Sequence, residues 1–205
     1  MNNLTEYLLP FLQESEINKK LRDQESSRAD VAPSVGPETG RLLTFLIKVL
    51  GATQALEIGT CQGYSTAWLA QGLKDTNGHL TAIESNEQII DEARKNLSDA
   101  GLTNVEFIIN DANIVLRQLP SAKFDLILQD AAKAMYTDML EDCVRLLKVG
   151  GILVSDDILF KPLGKRASIA EAMDQYNKIL VKDERLYTTF LSIGDGVALS
   201  LKIKE

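Results

Sequence analysis

The chain has 205 residues, a length that favours one domain of ordinary size. Hydrophobic residues make up 45% and charged residues 25%, which is typical of a globular protein and excludes disordered and collagen-like chains. The net charge of −7 disfavours general binding to nucleic acid or to a membrane surface. Two cysteines are too few for a disulfide-rich secreted fold.

The first 36 residues predict an accessory helix followed by a flexible lid. Helical apolar spacing runs to Leu21, and the polar residues 23–28 predict a loop. We expect no signal peptide, since no basic region precedes a long apolar core, and no apolar run approaches the roughly 18 residues of a spanning helix. The expectation is a cytoplasmic protein whose single domain covers residues 1–205, with its core in residues 37–205.

Short β-rich runs then alternate with segments of helical period. The predicted strands are residues 54–58, 80–83, 105–109, 124–128 and 152–154, and their alternation with helices predicts a parallel α/β sheet. Pro37 and Glu38 are typical of the first turn of a helix that would reach residue 50. Ser85 and Gln88 form a capping-box pattern that predicts a helix over residues 85–100.

The alternation stops after residue 180. Two β-rich runs, residues 186–191 and 197–203, flank Gly194, Asp195 and Gly196, which predicts an antiparallel hairpin with a glycine-bearing loop. The expected fold is therefore α/β, with a mostly parallel seven-stranded sheet that ends in an antiparallel C-terminal hairpin.

A glycine-bearing turn follows the first predicted strand. Gly59 and Gly63 are spaced G-x-x-x-G, whereas a dinucleotide site expects a glycine at the position of Cys61, so NAD is a poor fit. Glu84 closes the second strand, where an acidic side chain can accept both ribose hydroxyls. These features favour a nucleoside without pyrophosphate, although each alone is equally typical of an ordinary turn or of an acid at a helix start.

Acidic residues follow two further strands. Asp130 ends the fourth strand, and Asp156 and Asp157 follow the fifth, so adjacent parallel strands would bring three carboxylates together. A divalent cation relieves such repulsion, and all-oxygen ligation favours magnesium, with calcium or manganese as alternatives. Zinc is a poor fit, since His79 is the only histidine. The other interpretation is helix capping and turn formation.

Lys133 is the candidate base. Beside a bound cation its amine would have a depressed pKa and could take a proton near neutral pH. The alternative for Lys133 is a solvated side chain at a helix start. Tyr136 either faces a substrate or packs at the start of the following helix.

From about Val31 to Lys202 the sequence resembles the class I S-adenosylmethionine-dependent methyltransferases. Within that class it is similar to the metal-dependent catechol-type O-methyltransferases that include the caffeoyl-CoA enzymes. The resemblance implies a Rossmann-like fold and methyl transfer from S-adenosylmethionine to a catechol-like small molecule, with S-adenosylhomocysteine as the product. It also implies a homodimer.

The resemblance assigns roles to particular positions. Residues 56–65 would surround the methionine part of the cofactor, with Ser65 at its carboxylate and Glu84 at the ribose. Asp111 and Ala112 would contact the adenine, and Val35 would lie over the cofactor as a lid. The implied cofactor-binding residues are Val35, Glu57, Gly59, Gly63, Tyr64, Ser65, Glu84, Asp111, Ala112 and Asp130.

The metal motif of that family is matched with two departures. An aspartate–any–aspartate–lysine segment and a later aspartate–asparagine pair hold the metal there, and the lysine is the base. Here Ala132 stands in place of the second acid, and Asp157 stands where asparagine is usual. The resemblance still implies Lys133 as the base and Asp130, Asp156 and Asp157 as the metal ligands.

Two alternatives remain open. Some relatives methylate 5-hydroxyuridine in transfer RNA, which the net charge disfavours but a local patch of Lys161, Lys165 and Arg166 would allow. The other alternative is a non-catalytic S-adenosylmethionine-binding module in which Ala132 reflects lost chemistry. A small-molecule hydroxyl acceptor, with no membrane partner, is the expectation.

Overall fold

The computed structural model describes residues 3–28 and 34–205. Their strands are β1 Gln54–Ile58, β2 His79–Glu84, β3 Val105–Ile109, β4 Phe124–Gln129, β5 Leu147–Asp156, β6 Leu186–Leu191 and β7 Val197–Lys202. They form one sheet in the order β3-β2-β1-β4-β5-β7-β6, in which β1 to β5 pair in parallel and β7 pairs antiparallel with both β5 and β6. The predicted fold class is confirmed.

Eight α-helices connect or flank these strands within the described residues. They are α1 Asn3–Leu8, α2 Glu16–Ser26, α3 Pro37–Leu50, α4 Tyr64–Asp75, α5 Glu87–Asp99, α6 Ala112–Gln118, α7 Tyr136–Leu146 and α8 Ala167–Lys182. Short 3-10 turns cover Leu9–Phe11 and Lys133–Met135. Helix α3 has the predicted bounds, because Pro37 starts it and Gly51 ends it in the left-handed conformation that glycine adopts readily.

Two helix predictions were wrong in detail. The N-cap of α5 is Asn86, whose side chain accepts from the backbone N–H of Gln88 and Ile89, while the Ser85 hydroxyl donates instead to Glu84. Residues 23–26 continue α2 instead of forming a loop, because a polar run sits well on the solvent side of an amphipathic helix. The rest of the predicted lid, residues 29–33, lies outside the described residues.

Helices pack on both faces of the sheet. Apolar side chains of α6, α7 and α8 cover one face, and those of α3 and α4 cover the other. Because β1 to β5 run in parallel, their carboxyl ends lie along one edge of the sheet, and strand order reverses between β1 and β4. A crevice at such a reversal is where open α/β sheets bind ligands. Within the described ranges, no helix has the length and apolar character needed to cross a bilayer.

Candidate active site

A cavity of about 760 Å³ opens at the carboxyl ends of the parallel strands. Val35, Glu57, Gly63 and Tyr64 are buried beside it without lining it. The predicted site residues that do line it are Gly59, Ser65, Glu84, Asp111, Ala112, Asp130, Lys133, Asp156 and Asp157. The structure thus brings both predicted halves of the site, cofactor and chemistry, to the same cavity.

The two glycines of the β1–α4 turn are required by packing between protein segments. Gly59 has φ of 93°, and an added Cβ there would collide with the backbone oxygen of Asp130. Gly63 also has φ of 93°, and its added Cβ would lie 2.8 Å from Leu97 of α5. Both positions therefore need a residue without a side chain, and Gly59 brings the end of β1 directly against the end of β4.

Glu57, near the end of β1, holds the start of α4 through hydrogen bonds. Its carboxylate is fully buried and accepts hydrogen bonds from the hydroxyls of Ser65, at 2.5 Å, and Thr66, at 2.6 Å. Burial raises the pKa of Glu57 to about 8, although both hydroxyls act in the opposite direction. The carboxyl fixes the first turn of α4 and thereby the Ser65 side chain that faces the cavity.

The Glu84 carboxylate organises the backbone at the end of β2. One oxygen accepts from the N–H groups of Thr60 and Cys61, at 3.3 and 3.2 Å, which ties β2 to the β1–α4 turn. The other accepts from Ser85 and Asn86 at 2.8 and 3.0 Å. A carboxylate has about four acceptor sites, and these four N–H groups already occupy them, so a hydroxyl of a ligand would have to share an oxygen with one of these donors.

Asp111 also stabilises the start of a helix. It is the N-cap of α6, and its Oδ1 accepts from the backbone N–H of Asn113 at 2.8 Å. Asp111 and Ala112 line the cavity on the side of β3. The capping explains why the chain places an aspartate at this position, and it leaves the second carboxylate oxygen available to a ligand.

Asp130, Asp156 and Asp157 form the acidic cluster that the sequence predicts. Each offers one carboxylate oxygen, and these oxygens all lie within 4.8 Å of one another. Lys133 Nζ lies 2.6 Å from Asp130 Oδ1 and 2.9 Å from Asp157 Oδ2. Register explains the convergence, because β4 and β5 are adjacent and Gln129, just before Asp130, pairs with Ser155, just before Asp156.

The cluster strongly perturbs its own titration. Burial raises the pKa of Asp130 despite the Lys133 ammonium beside it. Burial, followed by the charges of Asp130 and Asp157, raises the pKa of Asp156 well above its usual range. Burial lowers the pKa of Lys133, but the charges of Asp130 and Asp157 outweigh burial and hold it well above its ordinary value. With Asp130 and Asp157 beside it, Lys133 is held in its ammonium form.

Val35, which the resemblance predicts to lie over the cofactor as a lid, is buried in the structure. It is 3% exposed and packs in one cluster with Leu21 and Trp68, whereas its neighbours Ser34 and Gly36 line the cavity. Sequence analysis also missed Glu25 of α2. Its carboxylate accepts a hydrogen bond from the backbone N–H of Ser34 and so ties the residues just before α3 to α2. No sequence signal marks Glu25, because its role depends on where α2 lies.

A sequence profile of the O-methyltransferase family matches residues 11–203. The chain belongs to the O-methyltransferase family. It is 32% identical over 180 residues to a protein named as a probable O-methyltransferase in Mycobacterium tuberculosis, covering 83% of this chain and 79% of that one.

Solved O-methyltransferase structures have the same fold. A proposed caffeoyl-CoA O-methyltransferase of Staphylococcus aureus is 30% identical with a TM-score of 0.87, over 98% of this chain and 100% of that one. The O-methyltransferase TomG of Streptomyces achromogenes, solved in complex with S-adenosylmethionine, is 26% identical with a TM-score of 0.85, over 99% and 97%. This chain is accordingly an enzyme of the O-methyltransferase class.

The basic patch of this O-methyltransferase is largely neutralised. Lys161 pairs with Glu171 and Asp174 at 3.0 and 2.6 Å, and Lys165 pairs with Asp195 at 2.7 Å. The third predicted member, Arg166, is exposed and donates from Nε to the Ser168 hydroxyl at 3.2 Å. Phosphate backbones bind to uncompensated lysines and arginines, so the two lysine ion pairs reduce the positive charge that this patch offers to a nucleic acid.

Proposed function

We propose that this chain, as a single domain, transfers the methyl group of S-adenosylmethionine to a hydroxyl of a catechol-like small molecule with help from a divalent cation. The observation that carries the proposal is the acidic cluster of Asp130, Asp156 and Asp157 on the wall of the cavity of an O-methyltransferase. An acceptor with two neighbouring hydroxyls matches a site that can hold two oxygens at one cation.

The donor set fits a hard cation. When all three are ionised, the carboxylates carry three negative charges, and Lys133 supplies one positive charge between two of them. The two remaining charges equal those of one divalent cation, and oxygen ligands favour magnesium over zinc. When bound, the cation would withdraw electron density from an acceptor hydroxyl and make its proton easier to remove.

Lys133 is proposed as the group that takes that proton. Its ammonium is held at a high pKa by Asp130 and Asp157, so it becomes a base only when those carboxylates are neutralised by other partners. The side chain is nearly buried, which keeps it in position at the cavity wall. Proton removal makes the acceptor oxygen a better nucleophile for attack on the methyl group.

Other parts of the chain would hold the cofactor. In this proposal Ser65 contacts the methionine carboxylate, Glu84 the ribose, and Asp111 with Ala112 the adenine, along the cavity wall formed by the loops after β1, β2 and β3. The nearby Cys61 is excluded as a nucleophile, since burial raises the pKa of its thiol to about 11.

The proposal includes a cytoplasmic homodimer. Low cysteine content supports the first part, because disulfide-rich chains belong to oxidising compartments. Exposed apolar side chains on the outer helices, including Tyr7 and Phe11 near the N-terminus and Phe45 and Val49 on α3, support the second. A large exposed apolar surface is typical of an interface between subunits.

The first test is methyl transfer from labelled S-adenosylmethionine to a panel of catechols and to a transfer RNA pool, each with magnesium and with excess chelator. We expect transfer to a catechol that chelator abolishes. In Lys133→Ala, kcat should fall by about 10²–10⁴-fold with unchanged cofactor affinity, as for loss of a general base. Lys178→Ala is the matched control, because Lys178 forms an exposed ion pair with Asp174 on α8.

Other outcomes refute particular parts of the proposal. Transfer that survives the chelator would refute the metal. Full turnover by Lys133→Ala would refute the base. Transfer only to transfer RNA would refute the small-molecule acceptor, and cofactor binding without any transfer would favour the non-catalytic alternative.

A further inference from the structure

Four polar side chains lie fully buried behind the acidic cluster and have no part in the proposed reaction. Gln129 and Ser155 directly precede Asp130 and Asp156 on β4 and β5. Tyr136 and Tyr176 come from α7 and α8, and all four side chains have no exposed surface. Interior positions of a sheet normally hold apolar residues, so a polar group here needs a reason.

The Tyr176 hydroxyl bridges the ends of the two strands. It donates to Gln129 Oε1 at 2.7 Å and lies 2.8 Å from the Ser155 hydroxyl. A tyrosine has one O–H proton, so with that proton on Gln129 the Ser155 hydroxyl must donate to Tyr176. Because Gln129 and Ser155 are register partners, the bridge spans the strand pair one residue before both aspartates.

A second pair of hydrogen bonds closes the loop that carries Asp130 and Lys133. Gln129 Nε2 donates to the backbone oxygen of Tyr136 at 3.1 Å, and the Tyr136 hydroxyl donates to the backbone oxygen of Gln129 at 2.7 Å. The rings of Tyr136 and Tyr176 meet edge to face, 5.2 Å between centroids. The segment between residues 129 and 136 is therefore fixed at both ends.

Each of the four side chains has a hydrogen-bond partner. Their position directly behind the acidic cluster indicates a role beyond stabilising the fold. A single buried hydrogen bond contributes only about 1 kcal/mol, so an apolar core would stabilise the strands comparably. A buried hydrogen-bond network in which every group has a partner also fixes the relative positions of its members, because other arrangements would leave a buried polar group without a partner. Carboxylates that must converge at one point are the groups that benefit from such geometry.

We propose that Tyr176 is a positioning residue, which sets the separation of Asp130 and Asp156 by bridging Gln129 and Ser155. The proposal rests on the proposed function, since it concerns the same acidic cluster. Tyr176 does not line the cavity and acts through the two strand ends. In Tyr176→Phe the ring contact with Tyr136 remains, while Gln129 Oε1 loses its donor and the strand ends lose their bridge.

The test compares Tyr176→Phe with two other variants. Ser155→Ala removes the other half of the bridge and should act in the same direction, more weakly. Thr44→Val is the matched control, because it also removes one buried hydroxyl. The Thr44 hydroxyl donates to the backbone oxygen of Trp68 at 3.1 Å, between α3 and α4 and away from the acidic cluster. Thermal unfolding shows whether the variants fold and whether their losses of stability match.

Three readouts separate positioning from stability. In Tyr176→Phe we expect the Kd for magnesium, measured by calorimetry, to rise about tenfold, as for loss of a residue that orients a metal ligand. We expect kcat to fall by a similar factor with an unchanged KM for S-adenosylmethionine. Amide hydrogen exchange should become faster in residues 129–133 and 155–158. Thr44→Val should change none of these.

Equal magnesium affinity, kcat and exchange rates in Tyr176→Phe and Thr44→Val would overturn the positioning role. Failure of the proposed function gives a different result, in which the unmodified protein binds no magnesium or transfers no methyl group. Hydrogen exchange then still decides the positioning role, since it needs neither cation nor acceptor.

Discussion

Glu57 makes the stability of the fold depend on pH. The carboxyl has a pKa of about 8 in the folded protein, against 4.5 for an unperturbed side chain, because it is fully buried. The folded protein therefore holds this proton more tightly than the unfolded chain does. Its free energy of unfolding should fall as pH rises from 4.5 to 8, and this contribution should be constant outside that window.

The magnitude follows from the two pKa values. One pKa unit corresponds to 1.36 kcal/mol, so ionisation of Glu57 lowers the free energy of unfolding by about 5 kcal/mol when complete. This is a large part of the 5–15 kcal/mol that stabilises a typical domain. The variant Glu57→Gln stays neutral, and its amide can still bond to both hydroxyls, so it should lose this dependence.

Denaturant unfolding at pH 5.5 and 7.5 measures the effect. The stability of Glu57→Gln relative to the unmodified protein should increase by about 2–3 kcal/mol between these two pH values. Taking the difference removes the contributions of the other titrating groups that the two proteins share. Glu106→Gln, on the exposed side of β3, is the control. A relative stability of Glu57→Gln that is the same at both pH values would refute the reasoning.

Two further predictions concern local structure. Gly59→Ala should destabilise the fold by at least about 2 kcal/mol more than Gly101→Ala. Both glycines have positive φ, but only at Gly59 would an added Cβ collide with backbone atoms. Equal melting temperatures of the two variants would contradict this. Asn86→Ala should lower stability by about 1 kcal/mol through loss of the α5 cap. Ser85→Ala should have little effect, and a larger loss in Ser85→Ala would contradict the assignment of the cap.

The strands could be predicted because their signals are local. The run from Gln54 to Ile58 is short, has three apolar residues among its five and is followed by a glycine, and its bounds match those of β1. Strand β5 extends from Leu147 to Asp156, well beyond the predicted residues 152–154. Leu147 pairs with Phe124, and a register shift separates this pair from the next, Ile152 with Leu126. Gly150, with φ of 89°, lies within the shift, and a glycine in a strand interior is read as a break unless the partner strand is known.

The candidate site was predictable in composition and less so in detail. Acids at the ends of adjacent strands predicted the convergence of Asp130 with Asp156 and Asp157. The ion pairs of Lys133 were not predicted, since a side chain three residues along can point in several directions. The position of Tyr176 was unpredictable for a simpler reason: its partners are more than 20 residues away in sequence.

The backbone contact between Gly59 and Asp130 lies where two walls of the cavity meet. Loops after β1, β2 and β3 form one wall, while loops after β4 and β5 and the C-terminal hairpin form the other. The two walls meet where the backbone of one passes against the backbone of the other, without a side chain between them. A side chain at residue 59 would therefore push the end of β1 away from the end of β4 and widen the cavity between its two walls. The width of the cavity is set at a single backbone contact, so this one position controls the spacing of everything that the two walls hold.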